Sequence, residues 1–184
     1  RLAEQADYFL QHRPGTEVLL YGAMAKVIYD RGLRDLPFIR AHCRRYEGFL
    51  EHLKDYDLLL AAEACGVPAD LIEAAALAYG RAAGASILYS TGIQSRGTES
   101  LQAIVHLALL TGNLGKAGGG IYALTEQNNL QGVCDMGMLP EFLPGYQSVE
   151  DTAARRRLEL LWETPLHHRP GCGAEGVLTD RNHD

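Results

Sequence analysis

Glycines are concentrated between residues 109 and 137, directly after an apolar run with helical spacing. The same segment carries adjacent amide side chains at Gln127, Asn128 and Asn129. Glycine permits left-handed backbone and close approach of other groups, and amide side chains both donate and accept hydrogen bonds. A segment of this kind is either a helix end followed by a loop or a polar surface that holds a ligand.

Two common phosphate-binding motifs do not fit this segment. Residues 112–120 lack the GxxxxGK[ST] order of a Walker loop. They also follow a predicted helix, whereas a Rossmann fingerprint needs a preceding strand. Spacing alone therefore favours a helix C-cap followed by a loop.

Composition limits the function classes. The 184 residues, 47% of them hydrophobic, suffice for one sizeable core or for one lobe of a larger protein. The net charge is −6, from 17 basic and 23 acidic residues, and no basic stretch is interleaved with aromatic residues. This pattern argues against a nucleic-acid partner.

The cysteines, the apolar runs and the first residue give three further expectations. The four cysteines lie far apart and form none of the close pairings typical of zinc or iron–sulfur sites. No run approaches the roughly 20 apolar residues of a membrane span. The chain opens at Arg1 without a signal-peptide pattern, which suggests a mature or excised piece and a cytoplasmic location.

The first half of the chain reads as mainly helical. Apolar residues from Leu2 to Leu10 recur at helical spacing and predict a helix that ends at Arg13 and Pro14. Residues 18–20 fit either a short strand or the start of a helix that continues over 22–30. Residues 38–53 predict one or two surface helices, broken near Gly48.

The middle of the chain predicts the order helix, strand, turn, helix. Helices are expected over 69–83 and 98–110, with the short apolar strand 85–90 between them. Because ligands of α/β proteins sit at the carboxyl ends of strands, the turn 91–97 is a candidate binding loop. An ordinary polar crossover is the alternative interpretation.

Four segments together resemble the molybdopterin oxidoreductase family, and within it the catalytic (alpha) subunit of formate dehydrogenase. They are HRPGTEVLLYGAMAKVIYDRGL (12–33), GVPADLIEAAALAY (66–79), LALLTGNLGKAGGGIYAL (107–124) and QNNLQGVCDMGMLPEFLPGYQ (127–147). Their order and rough spacing agree with the family over about residues 1 to 165. The last two segments are the most specific.

The resemblance implies a fold, cofactors and partners. It implies an α/β fold, a helix-rich, dinucleotide-binding-like segment with a short parallel sheet, and a domain segment over 1–125 that binds molybdopterin guanine dinucleotide. Residues 126–165 would cross into a neighbouring cofactor domain, and 166–184 would be a loop-like or disordered tail. The intact protein would hold molybdenum or tungsten through two molybdopterin guanine dinucleotides, with an iron–sulfur cluster outside this segment. Its partners would be the remaining domains of the same subunit and electron-transfer subunits of the iron–sulfur or diaphorase type.

The resemblance also assigns cofactor-binding residues, although it places no catalytic or metal-ligating residue in this chain. One guanosine end would be held by Gly15, Thr16 and Glu17, where Glu replaces the usual Asp and can accept two hydrogen bonds from the guanine edge. The dinucleotide would contact Thr91, Gly92 and Gln94, in a loop about two residues shorter than usual. The pterin side would meet Gln127, Asn128 and Asn129, with Gly132 allowing close passage of the chain.

A departure from the family pattern bears on the substrate. Formate dehydrogenases that resemble this sequence place an Arg two residues before the Gln of QNN, where this chain has Thr125. A Thr hydroxyl cannot imitate the planar bidentate donor that would orient a carboxylate. Glu126 adds negative charge where an anionic substrate would approach.

Three functions remain open at this stage. The chain could belong to an active oxidoreductase subunit that uses another substrate or a displaced Arg, or to an electron-transfer or structural subunit of the same family. It could also be a globular interaction module without cofactor.

The tail contains three residues that could be interpreted as metal ligands, His167, His168 and Cys172. No fourth ligand stands at a convincing spacing, so an exposed tail is favoured.

Overall fold

The computed structural model of the chain describes residues 2–94, 96–125 and 127–172. The polypeptide divides into two compact units, Arg1–Leu124 and Thr125–Asp184. None of the helices in the described ranges has the length and apolar character that crossing a membrane requires.

The first unit is helix-rich and contains a two-stranded parallel sheet, so the predicted α/β class with a short parallel sheet is confirmed. A short 3₁₀ helix, Ala3–Gln5, precedes the α-helices. The helices are α1 (Glu17–Asp30), α2 (Leu36–His42), α3 (Tyr46–Leu53), α4 (Leu58–Cys65), α5 (Ala69–Arg81), α6 (Thr91–Gln94) and α7 (Thr98–Leu110), and the strands are β1 (Ser86–Ser90) and β2 (Gly120–Leu124).

Helix α1 lies at the centre of the first unit. It contributes Ile28 to a core shared with α2, α3, α5 and α7, and Ala23 to a second core shared with α4 and α5. Both side chains are fully buried. Gly22 allows the ring of Tyr56 to pack directly on the helix backbone, because a Cβ at this position would lie 1.9 Å from a ring carbon.

The parallel sheet places two chain segments at one edge. Strand β1 pairs in register with β2, so that Ser90 lies opposite Leu124 at the carboxyl ends. The Ser90 hydroxyl donates a hydrogen bond to the Leu124 carbonyl at 2.8 Å. The segment 91–97 begins at this edge, as the sequence predicts, but its first four residues form the short helix α6 and not a turn.

The first glycines of the glycine-rich segment end helix α7. Gly112 has φ +63°. The backbone N–H of Asn113 donates to the Ala108 carbonyl, and the backbone N–H of Gly112 donates to the Leu109 carbonyl. Together these features form a Schellman motif. The Asn113 side chain is fully buried, accepts a hydrogen bond from the Ala85 amide and donates one to Thr111 Oγ1. Gly112 and Asn113 therefore end α7 and tie this end of the helix to the residue before β1.

Several sequence expectations for the first unit need correction. Residues 18–20 belong to α1, which settles that ambiguity in favour of helix. The predicted helix from Leu2 is only a 3₁₀ turn, Ala3–Gln5, because most of its apolar residues find no core: Leu2 is 86% and Phe9 49% exposed, and only Leu10 packs against the second core. A short helix with so little tertiary packing is marginal. The break within 38–53 falls at residues 43–45, where Arg45 is left-handed, and not at Gly48, which lies inside α3.

The described part of the second unit, 125 and 127–172, contains two helices and a small hairpin. Its elements are α8 (Leu130–Asp135), β3 (Phe142–Leu143), β4 (Gln147–Ser148) and α9 (Thr152–Trp162), with β3 and β4 antiparallel. Leu143, Val149 and Ala154 form its buried core. Residues 166–172 contain neither helix nor strand, and the rest of the predicted tail, 173–184, lies outside the described residues.

Two glycines with similar φ angles allow a test of the α7 end. At Gly112 a Cβ would lie 2.5 Å from Asp35 Oδ2, whereas at Gly118, with φ +74°, nothing lies within 4 Å. Asp35 caps α2 by accepting from the Phe38 amide, so it cannot move freely. We expect Gly112→Ala to lower the free energy of unfolding by about 1–3 kcal/mol more than Gly118→Ala, since the first adds overpacking to the same backbone strain. Urea unfolding followed by circular dichroism measures the difference, and equal losses would contradict this account.

Candidate functional site

The turn before α1 is held by Arg13. Its guanidinium donates to the carbonyls of Glu63 and Ala64 at 2.9 and 3.1 Å, in the last turn of α4, where a cation also interacts favourably with the helix dipole. The Thr16 hydroxyl donates back to the Arg13 carbonyl at 2.6 Å. Gly15 takes φ +93°, which a residue with a side chain adopts only under strain. The turn is thus fixed by contacts that leave Gly15 exposed.

The Glu17 carboxylate is the most enclosed polar group of this turn. Its side chain is only 7% exposed. Oε1 accepts a hydrogen bond from the Gly15 amide at 3.1 Å and lies 3.6 Å from His12 Nε2 and 3.9 Å from Arg96 Nε. A buried carboxylate of this kind needs such partners, because an uncompensated charge away from water is costly.

The surroundings of Glu17 favour its charged form. Burial by itself raises the pKa of the carboxyl group. The hydrogen bonds from the backbone amides of Gly15 and Glu17, with the charges of His12 and Arg96, lower it further than burial raises it, so the pKa lies below its ordinary value. Glu17 is therefore an anionic acceptor at neutral pH.

The ion pair with Arg96 joins two of the predicted cofactor-binding segments. Thr91 and Gly92 are exposed at the start of the short helix α6, and Gln94 is its last residue. Arg96 follows, and its contact with Glu17 brings the loop 91–97 to the turn that contains Gly15 and Thr16. Both segments thus lie on the same side of the first unit.

The amide motif lies in the second unit, where part of it caps a helix. Asn129 is the N-cap of α8, and its Oδ1 accepts from the Gly132 amide at 3.3 Å. A Cβ at Gly132 would lie 2.5 Å from the Asn129 side-chain nitrogen, so this cap requires glycine. Gln127 and Asn128 are exposed. A pterin contact by these four residues remains a prediction.

The position of the missing Arg has its own local role. The Thr125 hydroxyl donates to the Gln127 carbonyl at 3.0 Å and closes the turn before the amide motif. Glu126 lies outside the described residues. Within the described ranges, no group of three or more His, Cys, Asp and Glu side chains is arranged to hold a metal ion.

Sequence reasoning missed two site residues. His12 and Arg96 contact the Glu17 carboxylate, yet both stood inside segments already singled out. The available signal was charge, since Arg96 is the only cationic residue of the loop 91–97. The role of Arg13 in fixing the turn could not be predicted from the sequence, because its hydrogen-bond acceptors are backbone carbonyls about 50 residues away along the chain.

The lowered pKa of Glu17 makes the stability of this turn depend on pH. The carboxylate stabilises the folded state above its ordinary pKa of 4.5, and this contribution is lost as the pH falls through the lower folded-state value. We expect Glu17→Gln to cost about 1 kcal/mol at pH 7 and progressively less below pH 4.5. Urea unfolding at several pH values measures this, with Glu51→Gln on the exposed face of α3 as the control for loss of one charge. A cost that stays constant from pH 7 to pH 3 would contradict the assignment.

Comparison with curated proteins finds close relatives along most of the chain. It is 42% identical over 171 residues to the F420-dependent formate dehydrogenase subunit alpha of Methanocaldococcus jannaschii, a match that covers 92% of this chain and 25% of the relative. It is 36% identical over 162 residues to formate dehydrogenase H of Escherichia coli, which covers 87% of this chain and 23% of the relative. The chain thus spans about a quarter of the length of these relatives.

A solved structure agrees with these matches. Acetylene hydratase from Pelobacter acetylenicus superposes with a TM-score of 0.60 and 28% sequence identity, over 64% of this chain and 16% of that one. No family model matches the chain. The sequence relatives and the structural neighbour point to the same group of proteins, and we conclude that the chain belongs to the molybdopterin oxidoreductase family and is similar to about a quarter of the formate dehydrogenase alpha subunit.

Proposed function

We propose that this chain forms part of the cofactor-binding region of a formate-dehydrogenase-like catalytic subunit, and that its first unit holds a guanosine end of a molybdopterin guanine dinucleotide. The observation that carries the proposal is the Arg96–Glu17 contact, which joins two separately predicted nucleotide-binding segments. It does so beside the carboxyl edge of a parallel sheet, where α/β proteins bind ligands.

The chemistry of the residues suits a guanine nucleotide. An anionic carboxylate can accept both the N1–H and the N2–H of a guanine edge, which an adenine edge does not offer. Backbone can approach the ligand at Gly15, since nothing lies within 4 Å of where a Cβ would stand. The residues that would hold the cofactor are Gly15, Thr16, Glu17, Thr91, Gly92 and Gln94 in the first unit and Gln127, Asn128, Asn129 and Gly132 in the second.

The reaction and the partners follow from the same proposal. When bound, the molybdenum or tungsten of the cofactor would supply the site of two-electron oxidation and reduction, and the residues of this chain would bind and orient the dinucleotide. Iron–sulfur chemistry would belong to another part of the protein. Further domains of the subunit and electron-transfer subunits would be its partners, in the cytoplasm.

A non-catalytic family member is a second candidate, and one observation favours it. Thr125 stands where a carboxylate-binding Arg is expected, and its hydroxyl is used within the turn. A subunit of this kind would keep the cofactor cradle while formate recognition is weak. The two candidates differ in substrate turnover but share guanine binding.

Guanine binding can be measured on the 184-residue chain itself. We expect guanosine monophosphate to bind at least about tenfold more tightly than adenosine monophosphate, because a charge-assisted pair contributes about 1.5–3 kcal/mol. Glu17→Gln should remove this preference. The Gln side chain has one oxygen that can accept a hydrogen bond, and its NH2 group would face the second guanine N–H donor with another donor. Isothermal titration calorimetry gives the affinities, and Glu51→Gln serves as the control. Equal affinity for both nucleotides in the parent chain would contradict the proposal.

The role of Thr125 needs the complete subunit with its cofactor installed. A bidentate Arg–carboxylate contact contributes about 1.5–3 kcal/mol, so its absence should weaken formate recognition about ten- to a hundredfold. We expect Thr125→Arg combined with Glu126→Gly to raise kcat/KM for formate, the second change removing a carboxylate that could capture the new guanidinium. If the parent already oxidises formate efficiently and the double variant is worse, another residue holds the carboxylate.

A further inference from the structure

Arg96 is a charged group at the candidate site that the family resemblance does not assign. Resting on the proposed function, we propose that Arg96 exchanges partners when the dinucleotide binds: it pairs with the Glu17 carboxylate in the free protein and with the diphosphate of the dinucleotide in the bound protein. Arg96 would thereby serve the two ends of the guanosine diphosphate site in turn. It would hold Glu17, at the guanine end, in the free protein, and it would hold the diphosphate in the bound protein.

The geometry of the pair shows which contact gives way. Arg96 Nε lies 3.9 Å from Glu17 Oε1, at the outer limit of an ion pair, whereas the Gly15 amide hydrogen bond to the same oxygen measures 3.1 Å. The Arg96 side chain is 46% exposed and the Glu17 side chain 7%. Arg96 is therefore the loosest and most accessible partner of a buried carboxylate.

Within the described part of the chain, Glu17 is the only acidic side chain with which Arg96 forms an ion pair. A contact of this kind, at 3.9 Å from a half-exposed cation, is weak. A ligand that offers a stronger acceptor can break it.

Electrostatics gives the reason for an exchange. A diphosphate that enters beside the anionic Glu17 would meet a like charge unless a cation lies between them. Arg96 is the only cation of the loop 91–97, and its planar fork can bind two phosphate oxygens at once. Once the guanine edge supplies hydrogen bonds to Glu17, the guanidinium is free to neutralise the diphosphate.

The test separates the phosphate contribution from the guanine contribution. Affinities of guanosine and guanosine diphosphate are measured by calorimetry for the parent chain, Arg96→Gln, Arg96→Lys and Arg81→Gln, an exposed control at the end of α5. In the parent we expect the diphosphate to bind about tenfold more tightly than guanosine. In Arg96→Gln this ratio should fall to about one, while the affinity for guanosine stays equal or rises, because Glu17 loses a competitor.

The controls and outcomes distinguish this inference from the proposed function. Arg96→Lys should keep part of the diphosphate preference, and Arg81→Gln should keep all of it. A diphosphate preference that survives in Arg96→Gln overturns the partner exchange and leaves guanine binding intact. A lower guanosine affinity in Arg96→Gln also overturns it, since Arg96 would then support Glu17 and not compete for it. A parent chain that binds neither compound overturns both proposals.

Discussion

Burial of helix α1 is the constraint on which the rest of the first unit depends. The helix supplies residues to both cores of this unit, so its direction and rotation are fixed from several sides. An interior packed at native density does not tolerate displacement of such a helix. Glu17, its first residue, therefore stands at a defined place even though it begins at a turn.

This placement has an electrostatic consequence. Because Glu17 enters a buried position, its charge requires donors and cations nearby, and the turn backbone, His12 and Arg96 supply them. The length of a Glu side chain allows Oε1 to reach back to the Gly15 amide. An Asp at this position would have a shorter reach, so the Gly15 amide and the carboxylate would need a different spacing.

The sequence could predict elements whose signal is local. Helix α7 has the predicted bounds 98–110, strand β1 starts one residue after its predicted start, and α5 ends two residues before its predicted end. The failures have non-local causes. The predicted helix from Leu2 is only a 3₁₀ turn, because Leu2 and most of its apolar neighbours find no core in the folded chain. Helix α4 was not predicted, since a continuous apolar run such as LLLAA has no clear period.

At the site, the residue types pointed to Glu17. Its ion pair with Arg96 joins residues 79 positions apart in the sequence, so only the folded structure reveals it.

The residues of the glycine-rich segment fall into two groups in the structure, those that serve the fold and those that are exposed. Gly112 and Asn113 end a helix and fill the interior, and Gly132 accommodates the Asn129 cap. Much of its unusual composition thus serves the fold, while Gln127 and Asn128 keep exposed amides. A motif that matches a cofactor-binding family is then weaker support for binding than it looks, because the fold alone demands several of its residues. The stronger support comes from Glu17, where burying a carboxylate costs stability unless it is compensated. The Glu17 charge is compensated and stabilises the turn, but its most exposed partner, Arg96, lies at 3.9 Å and is held loosely enough for a ligand to displace it.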